Sequence, residues 1–448
     1  MKANNETRRI VVVSAVAACL LALWLAPAAH AKQVELDVAL GNPVVLAGEK
    51  QTGYLRVAMK GFELDDPSQR TPVNVAIVLD KSGSMSGQKI DKAKEAAIMA
   101  IQRLRPDDIV SVVVYDHTVS VVVPATKVSD REAIFAAIRR INAGGNTALF
   151  AGVSKGAHEV RKFLDDQRVN RIILLSDGLA NTGPSSPGDL AQLGESLMRE
   201  GISVTTIGLG IDYNEDLMTR LAAASDGNNY FAEEARDLDN VYAREFGEVL
   251  SVIAQEVGLR IECAEGVRPV RVLGREADIN GRVITAALNQ LYSRQTKYIL
   301  IEVELPAGEV GQEFQVAKVD LDYANLQTET RDRLSSRIAV AYVDSPKVVE
   351  SRYNKRVMGS VARQVGAETN RVAMELRDQG QVEEARQALK MNSAYLKEWG
   401  DRVDNDYLRR DAEYNRLDAD NLDEHNWKRQ RKSMRNQQLE AVQSLGYF

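Results

Sequence analysis

The segment 73-VNVAIVLDKSGSMSGQKI-90 decides the fold. Residues 73–79 form an apolar run whose sole polar member is Asn74. Beyond the turn, Ile90, Ala93, Ala97, Ile101 and Leu104 recur at spacings of three and four. The run reads as a buried strand and the recurrence as an amphipathic helix. Between them, Asp80, Ser82 and Ser84 place one carboxylate and two hydroxyls in D-x-S-x-S spacing on a strand-to-helix turn. Oxygen-only donors in that pattern suit a hard divalent cation such as Mg²⁺.

The same alternation continues outward. Strand patterns fall at 73–79, 109–115, 119–123, 172–175, 204–209 and 229–232. Helical patterns fall at 89–104, 131–141, 149–164, 189–199, 215–224 and 238–252. Continuous Val/Ile/Leu strands separated by helices predict a doubly wound, mostly parallel α/β sheet covered on both faces, over about 71–255. On either side lie shorter β-type runs, at 32–70 and 256–345. Neither set clearly suffices alone, so the two are expected to combine into one antiparallel, sandwich-like β-domain with the α/β domain inserted. Residues 346–448 are charged and helical in pattern, with Gly380 breaking one helix from the next.

In an open α/β sheet, ligands bind outside the carboxyl ends of the strands. Asp80 ends the first α/β strand, and Asp177 follows the 172–175 strand in the string S-D-G. Thr147 lies in the Gly-rich string G-G-N-T that opens the helix near Leu149. Five oxygen-bearing side chains are therefore expected to converge: Asp80, Ser82, Ser84, Thr147 and Asp177. Gly83, Gly144 and Gly145 would permit tight turns around an ion. Alone, each Ser or Thr reads equally as a helix cap, and Asp80 as a strand-end residue tied to amides.

Together, D-K-S-G-S at 80–84, the threonine of G-G-N-T at 144–147 and S-D-G at 176–178 resemble the von Willebrand factor type A domain and its metal-ion-dependent adhesion site. The order of the whole chain is similar to that of bacterial relatives of the inter-α-trypsin inhibitor heavy chains. The resemblance implies that Ser82, Ser84 and Thr147 hold Mg²⁺ (or Mn²⁺ or Ca²⁺) directly. Asp80 and Asp177 would act through waters or hydrogen bonds. A dication held by neutral hydroxyls stays electron-poor, so an open position would favour an acidic side chain of a protein partner.

The chain has 448 residues and a net charge of −6, which argues against general nucleic-acid binding. Residues 1–31 carry Lys2, Arg8 and Arg9 against Glu6, then an apolar run to about Leu25 and the small-x-small string Ala29-His30-Ala31. That layout reads as a cleaved export signal, which places the chain in the periplasm or outside the cell. No later stretch is long and apolar enough for a transmembrane helix. Cleavage after Ala31 leaves one cysteine, Cys263, read as a small buried residue.

Enzyme signatures are absent. His158-Glu159 is followed by Lys162 where H-E-x-x-H needs histidine. Ser176 lacks a G-x-S-x-G elbow. His117 reads as structural. The expected function is an exported, non-enzymatic, adhesion-type protein-binding module. Two alternatives stay open: an envelope assembly protein whose metal only adds stability, and a metal-dependent phosphate hydrolase. In the tail, Lys428, Arg429, Arg431, Lys432 and Arg435 surround Trp427 and follow an acidic stretch. They read as a solvated helix face with internal ion pairs, against the alternative of a docking patch for an anionic surface.

Overall fold

The computed structural model describes residues 33–442 apart from 65, 179–181 and 276. The stretch read above as an export signal, residues 1–31, lies outside the described residues. The chain begins in a β-sandwich with β1 (Glu35–Leu40), β2 (Val44–Leu46) and β3 (Gln51–Lys60). It then leaves for the α/β domain. There β4 (Val73–Asp80), α1 (Gln88–Gln102), β5 (Ile109–Tyr115), β6 (Val119–Lys127), α2 (Arg131–Arg139) and α3 (Leu149–Arg161) come first. They are followed by β7 (Val169–Ser176), α4 (Pro187–Arg199), β8 (Ile202–Leu209), α5 (Glu215–Ala224), β9 (Asn229–Ala232) and α6 (Leu238–Val249).

These strands form one sheet in the order β6-β5-β4-β7-β8-β9, parallel except for the antiparallel edge pair β5–β6. Every residue of β4, β7 and β8 is buried, because helices cover both faces. Apolar residues of α1, α2 and α6 pack on one face, including Ala97, Ile138 and Phe246. Those of α3, α4 and α5 pack on the other, including Val153, Leu197 and Leu221. The one polar residue of the opening run, Asn74, is buried and donates to Val160 O at 2.9 Å and Asn170 Oδ1 at 3.0 Å. The helical pattern at 238–252 stops early: α6 ends at Val249, and Val252 already pairs with Tyr292 in the next sheet.

The sandwich resumes with β10 (Val252–Cys263), β11 (Arg268–Leu273), β12 (Asp278–Asn280), β13 (Val283–Tyr292), β14 (Thr296–Leu305), β15 (Glu313–Asn325) and β16 (Thr330–Val343). One sheet runs β1-β3-β14-β11 and the other β12-β13-β10-β15-β16-β2. Leu55, Val57, Ile299 and Ile301 of the first pack against Leu259, Ile261, Val319 and Leu321 of the second. One pair departs from the antiparallel expectation. The three-residue β2 lies parallel to β16, Val45 opposite Tyr342. So short a run carries no directional signal. Cys263 is fully buried in this core, and burial pushes its thiol up to about 11.

Buried charges join the two domains. Arg171 of β7 donates to Gln290 Oε1 at 2.6 Å and to the Tyr292 hydroxyl at 2.7 Å, both on β13. It also pairs with Glu245 of α6 at 3.4 Å, and both side chains are fully buried. Beside it, Asp226 pairs with Arg275 at 2.8 Å and Lys297 at 3.1 Å. Burial opposes the Asp226 charge, but the two cations outweigh it and hold the carboxyl well below its usual range.

Among the described residues the tail is five helices: α7 (Pro346–Ser351), α8 (Lys355–Asp378), α9 (Val382–Val403), α10 (Asp406–Asp420) and α11 (Glu424–Val442). Among the described residues no helix is long and apolar enough to cross a membrane. Val357 and Val361 of α8 pack on Ala58, Leu273 and Leu300, the outer face of the four-stranded sheet. Asn392 links three helices, donating to Asn370 at 2.8 Å and Asn415 at 3.1 Å.

The basic run on α11 divides: Lys428 and Arg429 are exposed, as a solvated face requires, whereas Arg431, Lys432 and Arg435 turn inward. The inward three grip the α/β domain. Arg431 donates to Glu215, to Asp216 at 2.7 Å and to Asp378 at 2.8 Å. Lys432 is buried and donates to Glu215 Oε2 at 2.6 Å and Tyr213 O at 3.0 Å. Arg435 meets Asp216 at 2.9 Å. Apart from Asp378 of the tail itself, the acidic partners Glu215 and Asp216 lie in the first turn of α5, more than two hundred residues away, so local charge patterning could not reveal them.

Asp418 of α10 carries a pH-dependent penalty. Burial raises its carboxyl to about 6, and the Gln430 amide, donating at 2.9 Å, only partly offsets this. The folded chain therefore holds more protons than the unfolded chain between about pH 4 and 6. The penalty is absent below that window and complete above it. Asp418→Asn is expected to add on the order of 1 kcal/mol at pH 7 and nothing at pH 4, read from thermal melts at both pH values.

Candidate metal centre

Asp80 and Asp177 sit at the carboxyl ends of the adjacent central strands β4 and β7, where the winding of the sheet reverses direction. Both carboxylates are buried. Asp80 Oδ1 accepts from the Ser82 amide at 2.8 Å, and Oδ2 from the Ser176 hydroxyl at 2.8 Å. Burial pushes the Asp80 carboxyl above its ordinary value. Ser82 and Ser176 pull the other way, and the neighbouring Asp177 charge adds to the rise.

The hydroxyls close the ring. Ser84 Oγ donates to Asp177 Oδ1 at 2.6 Å and lies 3.1 Å from Ser82 Oγ. A Cβ placed on Gly178 would stand 3.3 Å from Thr147 Oγ1 and 3.6 Å from Ser84 Oγ, so these oxygens converge beside that glycine. All five expected residues thus meet at one sheet edge. Ser82, Thr147 and both aspartates line the floor, and Ser84 is open to solvent.

None of the hydroxyls serves as a helix cap. Ser82 precedes the short 3-10 turn Gly83–Met85 without a side-chain capping bond. Gly87 precedes α1 and Ala148 precedes α3. Main-chain bonds hold the loops in register instead, from Gly83 N to Gly145 O at 2.9 Å and from Gly144 N to Lys81 O at 2.6 Å. Of the three glycines singled out by sequence, Gly145 is the one at positive φ, 89°. A Cβ there would lie 2.4 Å from His117 Nδ1 and 3.0 Å from Asp116 Cβ, so any side chain would have to displace them.

Several neighbours escape a reading of the ligand motifs alone. Ser176 orients Asp80. Lys89 donates to Asp177 Oδ2. Lys81 donates to Asp116, whose Oδ1 also accepts from the Thr118 amide at 2.7 Å. Burial opposes the Asp116 charge, but Lys81 and Thr118 prevail and hold the carboxyl at about 2. His117 is exposed on the rim, 3.4 Å from Asp116. One signal was available for Lys89. A lysine in the first turn of a helix opposes the helix dipole and so calls for a local anion.

Among the described residues no group of three or more His, Cys, Asp or Glu is placed to hold a metal ion. The donor set here is different: three hydroxyls above two buried carboxylates. Neutral oxygens with nearby negative charge fit Mg²⁺, Mn²⁺ or Ca²⁺ rather than a thiolate- or imidazole-seeking ion.

Comparison with known proteins agrees with this geometry. The von Willebrand factor type A domain family matches residues 74–244. The uncharacterised protein sll0103 of Synechocystis is 30% identical over 302 residues, covering 65% of this chain and 71% of that protein. Inter-alpha-trypsin inhibitor heavy chain H3 of Rattus norvegicus is 28% identical over 165 residues, 35% of this chain but 18% of that protein. The solved von Willebrand factor type A protein from Catenulispora acidiphila superposes with a TM-score of 0.69 at 19% identity, over 85% of this chain and 90% of that one. The fold is thus shared well beyond the α/β sheet. Because the likeness to the Synechocystis protein also extends past the segment that carries Asp80 and Asp177, this chain belongs to the von Willebrand factor type A domain family.

Proposed function

We propose that the chain is a protein-binding module that captures an acidic side chain of a partner through a divalent cation held by Ser82, Ser84 and Thr147. The carrying observation is the pair of buried carboxylates, Asp80 and Asp177, beneath hydroxyls that cap no helix and open to solvent at Ser84. Lys89 answers only one of the two buried negative charges, so the pair calls for a further cation close by. Neutral direct ligands leave that cation able to accept one more anionic oxygen. We read the leader as directing export, which places the module in the periplasm or at the cell surface.

The test is a pull-down of envelope proteins on the immobilised chain, with Mg²⁺ and then with EDTA. A partner released by EDTA supports capture through the metal. A partner retained in EDTA moves the binding face to the sandwich or the tail and leaves the ion a structural role. An ion at about 100-fold its dissociation constant stabilises the fold by about 2.7 kcal/mol, so chelation is expected to lower the melting temperature. No shift on chelation removes the ion from the account altogether.

A further inference from the structure

Asp177 already holds a cation. The Lys89 ammonium donates to Asp177 Oδ2, while Ser84 occupies Oδ1. Among the described residues Lys89 is the cation paired with Asp177, and Asp80 has no ion pair. The Asp177 side chain is fully buried, whereas that of Lys89 is 35% exposed. On its other side the ammonium faces the loop after β8, where a Cβ on Gly210 would lie 3.7 Å from Nζ. The group is therefore wedged between the metal-site floor and a neighbouring loop, with a path to solvent. Lys89 is also the second residue of α1, where the aligned peptide dipoles repel a positive charge.

We propose that Lys89 is a tethered cation that neutralises Asp177 in the metal-free chain and must withdraw when a divalent ion binds. This rests on the reading that the hydroxyl set takes such an ion. A dication on the hydroxyls, one of which bonds Asp177 Oδ1, would repel the ammonium on Oδ2 of the same carboxylate, so the two cations compete for Asp177. A flexible four-carbon stem allows the ammonium to swing out to water. Lys89 then sets the free-ion concentration at which the site fills. It also leaves the metal-free fold with one uncompensated buried carboxylate, Asp80, rather than two.

The experiment titrates the EDTA-stripped full chain with Mg²⁺ by calorimetry, comparing wild type with Lys89→Met and Lys89→Gln. Both variants are expected to bind Mg²⁺ about 5- to 50-fold tighter than wild type. In EDTA both are expected to melt below wild type, and saturating Mg²⁺ should close that gap. Equal affinities in wild type and variants overturn the inference while leaving metal binding intact. Weaker binding in the variants also overturns it, making Lys89 a support for the ion. If no chain binds Mg²⁺ and no melt responds to it, the proposed function fails, and the inference with it.

Discussion

Asp80→Ala is expected to weaken Mg²⁺ binding by about 100-fold and to abolish cation-dependent partner capture, with the fold retained. The effect follows from the position of Asp80. Its two oxygens fix the Ser82 amide and the Ser176 hydroxyl, and its charge lies under the hydroxyls proposed to hold the ion. Groups that orient direct ligands typically contribute 10- to 100-fold in metal affinity, and here the lost group also carries a buried negative charge. Stability should change little. Losing an acceptor for two donors costs free energy, but removing a carboxylate that burial already disfavours returns part of it. Calorimetric titration with a circular-dichroism control checks both halves. Undiminished Mg²⁺ affinity in the folded variant would show that Asp80 has no part in holding the ion.

Arg171→Met carries the largest expected cost in stability, about 3–5 kcal/mol, because it leaves the fully buried Glu245 without its cation. The loss also empties contacts to Gln290 and Tyr292, so the α/β sheet loosens from the sandwich. Replacing both charges, as in Arg171→Met with Glu245→Leu, should recover much of the stability, since no uncompensated charge remains. Urea midpoints for the two singles and the double measure the coupling. A double variant no better than Arg171→Met alone would place the cost in lost shape rather than in stranded charge.

Local chemistry made the sheet edge legible. Residues 73–79 are apolar because β4 is covered on both faces, and the residue that ends such a strand faces the ligand crevice. The order of strands and helices followed from the same periodicities. What could not be read depended on partners distant in sequence. The α11 cations looked solvated because their acids, Glu215 and Asp216, belong to another domain. Ser176 drew notice only as a nucleophile that lacks an elbow, since nothing local says that its hydroxyl turns toward Asp80. Lys89 in the first turn of α1 called for an anion, but nothing local named Asp177 until the β7 end was placed against it.

The way the sandwich closes has a consequence for synthesis. Strand β3 finds its partner β14 only when Thr296 reaches Lys60, and Val34 meets the Tyr323 hydroxyl later still. At ~5–20 residues per second, the intervening chain takes roughly 10–50 s to emerge from the ribosome. Throughout that interval the apolar face of β3, with Leu55, Val57 and Met59, has no second sheet to cover it. The inserted α/β domain has its own core and can fold meanwhile. The slow and aggregation-exposed step is therefore the zipping of early strands onto late ones, and a holding chaperone would act first on residues 35–60.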